Sequence, residues 1–510
     1  MFALLGFGGQ SETAFGASIP IITFSVQEFS IAGDNPLGEQ QTTRLLAPFL
    51  GKQEGLNSLL KAAATLEAAL AEAGHHFLRV VLPPQTLSGG TVKLQISQIR
   101  IANVKVTGNT FFSAENVSAS VPGAAVGEVP GTRELARQLQ VANKHPSKRL
   151  ALRFKHSQTP DSVDAVLEVQ DRRPWQVFSL LNNTGTRSTG RFRLTAGGQH
   201  TNVLDLDHTL TGSYTTSPGH ISDVKQWGLS YRIPLYQLAG ETNFFYSQSD
   251  VDSGTVQNVF DVSGAGRFMG MSYTHTFLNQ ENYAHRLRAG IEDKFFENNV
   301  AFFGAPIGVD VRSRPLTLSY VGEYRMARSQ FDFDIAYSTN LPGGRGNKQV
   351  DYSASRAGAR QRWDALRYNA SVLHSIDSQW SVRLAFSGQY SNEPLISGEQ
   401  FGIGGVSSVR GFAERAVSGD RGNQLSFQVS NNIVHNLQAR VFSDLGHVKV
   451  LSASVGQVAS QTLMSAGAGL TWTWQDQLSL SLDYAHEIKK GRTSDIGGTR
   501  IHLSAFYQFQ

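Results

Sequence analysis

Most of the side chains that could do chemistry sit in arrangements that cannot. His486-Glu487 is followed by Ile488-Lys489-Lys490, so the second histidine that a helical zinc site needs is missing. Gly402, Gly404 and Gly405 are spaced like a glycine-rich turn, but no helix follows to offer its N-terminus to a phosphate. His75-His76 reads as the start of a strand. The chain has no cysteine, which excludes disulfides, thiolate metal sites and cysteine nucleophiles. No catalytic constellation stands out, and neither cofactor nor metal is expected. Two charges remain of interest. Arg410 lies in the stretch 401–412, FGIGGVSSVRGF, and Asp444 lies in Phe442-Ser443-Asp444-Leu445-Gly446. An arginine and a carboxylate can fix one segment onto another where water is scarce.

The elements that must position these residues show period two. Ile501, Leu503, Ala505, Tyr507 and Phe509 alternate with Arg500, His502, Ser504, Phe506 and Gln508. Leu478, Leu480, Leu482 and Tyr484 alternate with Ser479, Ser481 and Asp483, and the stretch 331–337 repeats the pattern. One apolar and one polar face over about ten residues is what a lipid-facing barrel strand needs. Strand starts are expected near Trp175, Gly190, Asp207, Val224, Glu241, Gly266, Ala284, Pro315, Ser329, Ala365, Trp380, Arg421, Leu437, Ser465, Gln477 and Thr499, about sixteen in all. The fold class is therefore a mainly β transmembrane barrel of antiparallel strands, closed because hydrocarbon offers no water to pair an open edge.

Connection lengths set its orientation. The links after even-numbered strands are short (325–328, 375–379, 431–436, 475–476), whereas those after odd-numbered strands are long (293–314, 338–364, 389–420, 446–463). Outer-membrane barrels have short periplasmic turns and long external loops, so 389–420 is an external connection. In the thirteenth strand Leu437, Ala439, Val441 and Leu445 face lipid, which turns Gln438, Arg440, Phe442 and Asp444 inward. Charge placement alone favours a solvated Arg410 and an Asp444 paired with Arg440.

Bulk composition agrees with this class. The chain has 510 residues, 17% charged and 10% aromatic, with 50 glycines, 30 phenylalanines and a formal charge of +4. Its mean hydropathy of −0.22 argues against a helical membrane bundle but not against a barrel, which shows lipid only every second residue. No run of 18 apolar residues marks a spanning helix, and the small net charge gives no nucleic-acid signal. Residues 1–9 are apolar but lack the positive start of a secretory signal, while small residues at Ala14–Ser18 could mark cleavage. No convincing helix precedes Phe24.

The first third has another texture. Val26, Phe29 and Ile31 lead into Gly33-Asp34-Asn35, and about 75 residues on, Ile101, Val104 and Val106 lead into Gly108-Asn109. Helices are expected at 56–73 and 133–143, followed by strand pairs at 77–82 with 92–96, and 150–154 with 163–169. The order strand, helices, strand, strand thus occurs twice.

That order resembles POTRA domains, and Pro83-Pro84-Gln85-Thr86-Leu87-Ser88-Gly89-Gly90 resembles the Pro-Gln-x-Leu signature in the first POTRA of two-partner secretion transporters; an ordinary α+β pair with a proline turn is the plainer alternative. Val409-Arg410-Gly411-Phe412 resembles the loop-six motif of the same transporters and of the wider BamA-like POTRA-barrel superfamily. Phe442-x-Asp444-x-Gly446 resembles its barrel-wall partner motif. The resemblance implies that Arg410 pairs with Asp444 and holds loop six in the lumen. It implies the scheme 1–23 N-terminal segment, 24–97 POTRA 1, 98–172 POTRA 2 and 173–510 barrel, with 389–420 folded inside. The expected function is ATP-independent export of a large secreted exoprotein across the bacterial outer membrane, with the POTRA units in the periplasm binding that partner. Other expected associations are outer-membrane lipid and the barrel assembly machinery, which would read the penultimate Phe509; no nucleic acid is expected, and the transporter is expected to be monomeric. The rivals are a BamA-like insertase and a passive porin.

Overall fold

The computed structural model describes residues 23–510 apart from 88, 251–253, 257–259, 263, 264, 298–300, 303, 304, 307, 308, 455 and 490–497. The N-terminal readings at 1–9 and Ala14–Ser18 lie outside the described residues. By internal contacts the chain forms two units, one of residues 1–103, 126–133 and 155–164, the other of 104–125, 134–154 and 165–510.

From Trp175–Asn182 to Thr499–Phe509 the chain forms a closed antiparallel barrel of sixteen strands. The last strand pairs with the first, from Ser504↔Asn182 to Phe509↔Val177, and so leaves no edge. The eighth strand is made of two pieces, Val311–Ser313 and Pro315–Arg325, both paired with Tyr283–Phe296. Starts at Trp175, Gly266, Pro315, Ser329, Trp380, Arg421, Leu437 and Thr499 fall where expected. The widest difference is in the fourteenth strand, which begins at Ser460 rather than Ser465. Its outer end, Ser460-Gln461-Thr462, is polar on both faces, so hydrophobic alternation does not mark it.

Exposure follows the expected parity. In the thirteenth strand, Leu437–Lys449, Val441 and Leu445 are exposed while Phe442 and Asp444 are buried. In the last, Ile501, Leu503, Tyr507 and Phe509 are exposed and His502 is buried. Trp175, Tyr324, Trp380, Trp474 and Phe509 ring the periplasmic end; Trp227, Tyr246, Tyr337, Tyr390 and Tyr484 lie toward the other, all exposed as interface girdles require. Connections after even strands are short, as at 204–207, 326–328 and 435–436, and those after odd strands are long, as at 341–363 and 391–420. The long 341–363 connection carries a helix, Gln349–Ser355, that periodicity did not reveal.

The first N-terminal module has helices Glu39–Leu46 and Asn57–Glu72 on a sheet in which Thr91–Gln98 lies between Glu28–Ala32, parallel, and Leu78–Val81, antiparallel. His75 and His76 fall in the turn before Leu78–Val81 rather than in a strand, because Gly74, at φ 96°, ends the helix and two further residues complete the turn. A ribbon of Thr23–Val26 with Gly51–Glu54 is added to the expected order. The second module has the sheet order Arg100–Thr107, Ser162–Asp171, Lys148–His156, with helices Ala114–Ala119 and Thr132–Ala142.

Within the second unit, this module grips the barrel's periplasmic turns. Lys148 Nζ donates to Asp207 Oδ2 at 2.6 Å, Asn116 Oδ1 at 2.7 Å and Ser120 Oγ at 2.7 Å. Asp207 sits in the first turn and also accepts from Tyr236 in the second. Lys144 Nζ donates to Thr276 Oγ1 at 2.6 Å, and Gln140 exchanges bonds with Phe277 and Asn279 at the third.

Candidate functional site

The long connection 391–420 runs back into the barrel rather than out into solvent. A short ribbon of Phe401–Ile403 with Val417–Gly419 forms its neck. Ile403, Val409, Phe412 and Val417 are buried against the wall residues Val448 and Leu463. This burial brings Arg410 down to the inward face of the thirteenth strand. The chain turns there at Gly411, whose φ of 96° suits glycine.

Arg410 meets Asp444 through Nε to Oδ2 at 2.7 Å and Nη2 to Oδ1 at 2.9 Å, a bidentate pair. The Arg410 backbone N–H also donates to Oδ2 at 3.1 Å, and Ser426, directly across the sheet, donates to Oδ1 at 2.6 Å. Arg410 is 7% exposed and Asp444 1%. The guanidinium carbon lies 3.4 Å from the centre of the Phe442 ring, so that residue supplies a cation–π floor. The Gly411 N–H donates to His502 Nε2 at 3.0 Å.

Gly446 has a steric role. A Cβ there would stand 2.8 Å from Val409 Cγ2 and 2.9 Å from Ile403 Cδ1, so a side chain would push the loop off the wall. Gly467 does the same for the Phe442 ring, whose Cζ would be 2.5 Å from a Cβ. All residues of the two barrel motifs, Val409, Arg410, Gly411, Phe412, Phe442, Asp444 and Gly446, are therefore in one contact region. Charge placement alone would have assigned Arg440 to Asp444. Instead Arg440 donates to Asp483 Oδ1 at 2.7 Å and to Ser481 Oγ at 2.7 Å, with Asp483 reached across the fourteenth strand. Asp483 was visible on the inward parity of its strand, yet the spacing along the chain gave no sign of this pair.

Beside the loop a lumen cavity of about 660 Å³ remains, lined among others by Arg286, Asp334, Asn369, Arg383, Ser408 and Gln428. Its walls carry both signs of charge and neutral polar groups. Among the described residues no cluster suited to a metal ion occurs.

The remaining predicted residues lie in the first module, where they finish a sheet. Antiparallel pairing of Leu78–Val81 with Thr91–Gln98 runs from Leu78↔Gln98 to Val81↔Gln95. Continued two residues further, it would set Pro83 against Lys93, and proline has no N–H to give. Gln85 replaces it: Lys93 N–H donates to Gln85 Oε1 at 2.7 Å, and Gln85 Nε2 donates to Lys93 O at 2.8 Å. Pro83 and Pro84 turn the chain so that this amide reaches the sheet, and Leu87 packs near Val26, Leu59 and Val92.

Residues 161–472 match the family described as Haemolysin secretion/activation protein ShlB/FhaC/HecB, and residues 24–98 match the POTRA domain, ShlB-type. The outer membrane transporter CdiB of Dickeya dadantii is 23% identical over 456 residues, covering 83% of this chain and 76% of its own. The solved structure of CdiB from Escherichia coli aligns with a TM-score of 0.68 at 18% identity, covering 98% of this chain and 93% of that one. BamA from Haemophilus ducreyi lacking POTRA domains 1–3 shares the fold at a TM-score of 0.54 and 17% identity, over 95% of this chain and all of that one. The fold alone is therefore shared with BamA, whereas the family match runs over most of the barrel: this chain belongs to the ShlB/FhaC/HecB haemolysin secretion/activation family and is an outer-membrane transporter of two-partner secretion.

Proposed function

We propose that the Arg410–Asp444 pair is the fixed point around which export occurs. It holds the inner end of loop six on the twelfth and thirteenth strands while an unfolded exoprotein passes through the polar lumen beside it. The observation that carries this reading is the bidentate, nearly water-free arginine–carboxylate contact. Removing either partner strands a buried charge, at a cost of about 3–5 kcal/mol, enough to free the loop. The cavity wall, where Arg286, Asp334, Asn369 and Arg383 stand on neighbouring strands, supports passage of an extended chain by offering it polar groups of both charges.

In this reading 24–97 and 98–172 act as periplasmic POTRA units that receive the partner's secretion domain, in part by strand addition at a sheet edge, and 173–510 acts as the pore, working as a monomer. Phe509 serves as the signal for the barrel assembly machinery. Arg410→Ala and Asp444→Ala are each expected to cut secretion of the partner at least tenfold while leaving a heat-modifiable, membrane-inserted barrel. Secretion at the wild-type level by both variants would remove the pair from the mechanism.

A further inference from the structure

Loop six is held at a second place, which no motif announces. Asp420, at the root of the loop, is fully buried and receives five hydrogen bonds. Arg356, just after the Gln349–Ser355 helix in the 341–363 connection, donates to both of its oxygens, at 2.7 and 3.0 Å. Leu395 N–H donates to Oδ1 at 2.8 Å, Gln400 Nε2 to Oδ1 at 3.1 Å, and Leu451 N–H to Oδ2 at 2.6 Å. Arg356 also donates to the carbonyls of Leu395 and Leu451. One ion pair thus satisfies both peptide groups of two residues and joins three external connections: 341–363, 391–420 and 450–459.

Beneath it lies an apolar layer. Tyr352 and Trp363 from the first of these connections and Leu395 and Ile396 from the second are buried with Phe268 and Phe296. Phe268 and Phe296 lie at the outer ends of the sixth and seventh strands, and Phe268 is buried beside an exposed Met269, so it faces inward. The loops therefore sit within the outer mouth. A second carboxylate, Glu399, ties the descending leg to the wall by Arg367 at 3.0 Å and Lys294 at 3.4 Å.

The apolar layer and the Glu399 pairs engage the sixth, seventh, eighth and tenth strands, whereas Asp420 and Leu451 border the outer ends of the twelfth and thirteenth, the strands that hold Arg410 deeper in the lumen. The 660 Å³ cavity below is lined from the seventh to the twelfth strands, by Arg286, Asp334, Asn369 and Gln428 among others, and by Arg410 itself. We propose that Arg356–Asp420 is an outer clamp that shuts the mouth over this cavity at rest and must open for export, independently of Arg410–Asp444. An extended chain passing the inner contact on the open side of the lumen meets the three tied loops, which must part to release it.

The proposal rests on the export reading, but its first test needs no partner. In planar lipid bilayers, Arg356→Ala and Asp420→Asn are expected to raise resting conductance or open time severalfold with Arg410 and Asp444 intact. Unchanged resting conductance in both variants would overturn the clamp while leaving the inner contact untouched. The second test uses the absence of native cysteine. A Cβ on Gly358, at φ 80°, would stand 3.0 Å from Ser452 Cβ, so a disulfide between the first and third of the tied connections needs the backbone there to give by about 0.5 Å. In a Gly358→Cys/Ser452→Cys protein, oxidation, followed by thiol labelling, is expected to stop export, and reduction to restore it. Continued export by the fully crosslinked form would show that the loops need not separate.

Discussion

The first N-terminal module buries Val26, Leu46, Leu59, Leu66, Leu70 and Leu94, and among the described residues 23–98 its one buried polar side chain is Thr42. The second, built in the same element order, buries Asn116, Ser120, Gln138, His145, Ser147 and Lys148. Five of these six find partners in or beside the barrel's periplasmic turns or in the same network; Gln138 instead stays within the module, bonding Gly123 and Glu134. The first module is thus finished by its own apolar core. The second is finished only when the barrel supplies Asp207, Thr201 and Asn202, because a buried ammonium without an anion is far more costly than a buried methyl group. Shared topology does not imply shared independence.

The sharpest way to break this comparison is Lys148→Met. It leaves Asp207 buried with its cation gone and is expected to cost about 3–5 kcal/mol, read as a lower melting temperature and faster proteolysis of the second module in detergent-solubilised protein. The double variant Lys148→Met/Asp207→Leu should recover most of that loss. A single-variant cost under about 1 kcal/mol, the range of a surface pair, would end the claim that the barrel completes this module.

The first module should respond in another way. Leu66→Ala removes a fully buried side chain from its apolar cluster and is expected to cost about 2–5 kcal/mol, measured by urea unfolding of the module's signal. Heat-modifiability of the barrel should not change. Loss of barrel stability with this variant would show that the first module is not self-sufficient.

A smaller effect comes from pH. Burial holds the His145 imidazole down to about 4, against a partial pull upward from Asp207. The folded protein then binds fewer protons than the unfolded chain between about pH 6.5 and 4, so stability falls as pH drops through that window, by up to about 3 kcal/mol at 1.36 kcal/mol per unit. Burial pushes the Asp207 carboxyl upward, but Lys148, helped by the hydrogen bond from Tyr236, outweighs it and keeps it below its ordinary value, so its charge persists through this range. Thermal unfolding of wild type and His145→Gln between pH 4 and 7 checks this: the variant should show the flatter profile.

Residue patterns revealed the barrel well and its loops poorly, for a physical reason. Lipid imposes alternation on every strand, so Leu437, Val441 and Leu445 declare the parity that turns Asp444 inward. Loops obey no such period. The Gln349–Ser355 helix is seven residues long and is held by Tyr352 in a buried cluster rather than by its own propensity. Arg356 and Asp420 are 64 residues apart, Lys148 and Asp207 59; neither pair has a local signature. The inner contact was legible only because Arg410 and Asp444 each sit in a recognisable motif, and on charge spacing alone Arg440 would have taken the arginine's place.

The Gln85 amide in the first module has a consequence beyond local geometry. On the proposed export reading the first module works among extended chains, and every unpaired peptide group it shows is a place where such a chain can pair in the wrong register. By presenting a carboxamide where Pro83 cannot donate, the module fills that stretch of the Thr91–Gln98 edge with a group that never propagates a ladder. Gln85→Ala is expected to leave the module folded but to raise its co-aggregation with an added extended peptide, read by light scattering; scattering at the wild-type level would remove this role from the amide.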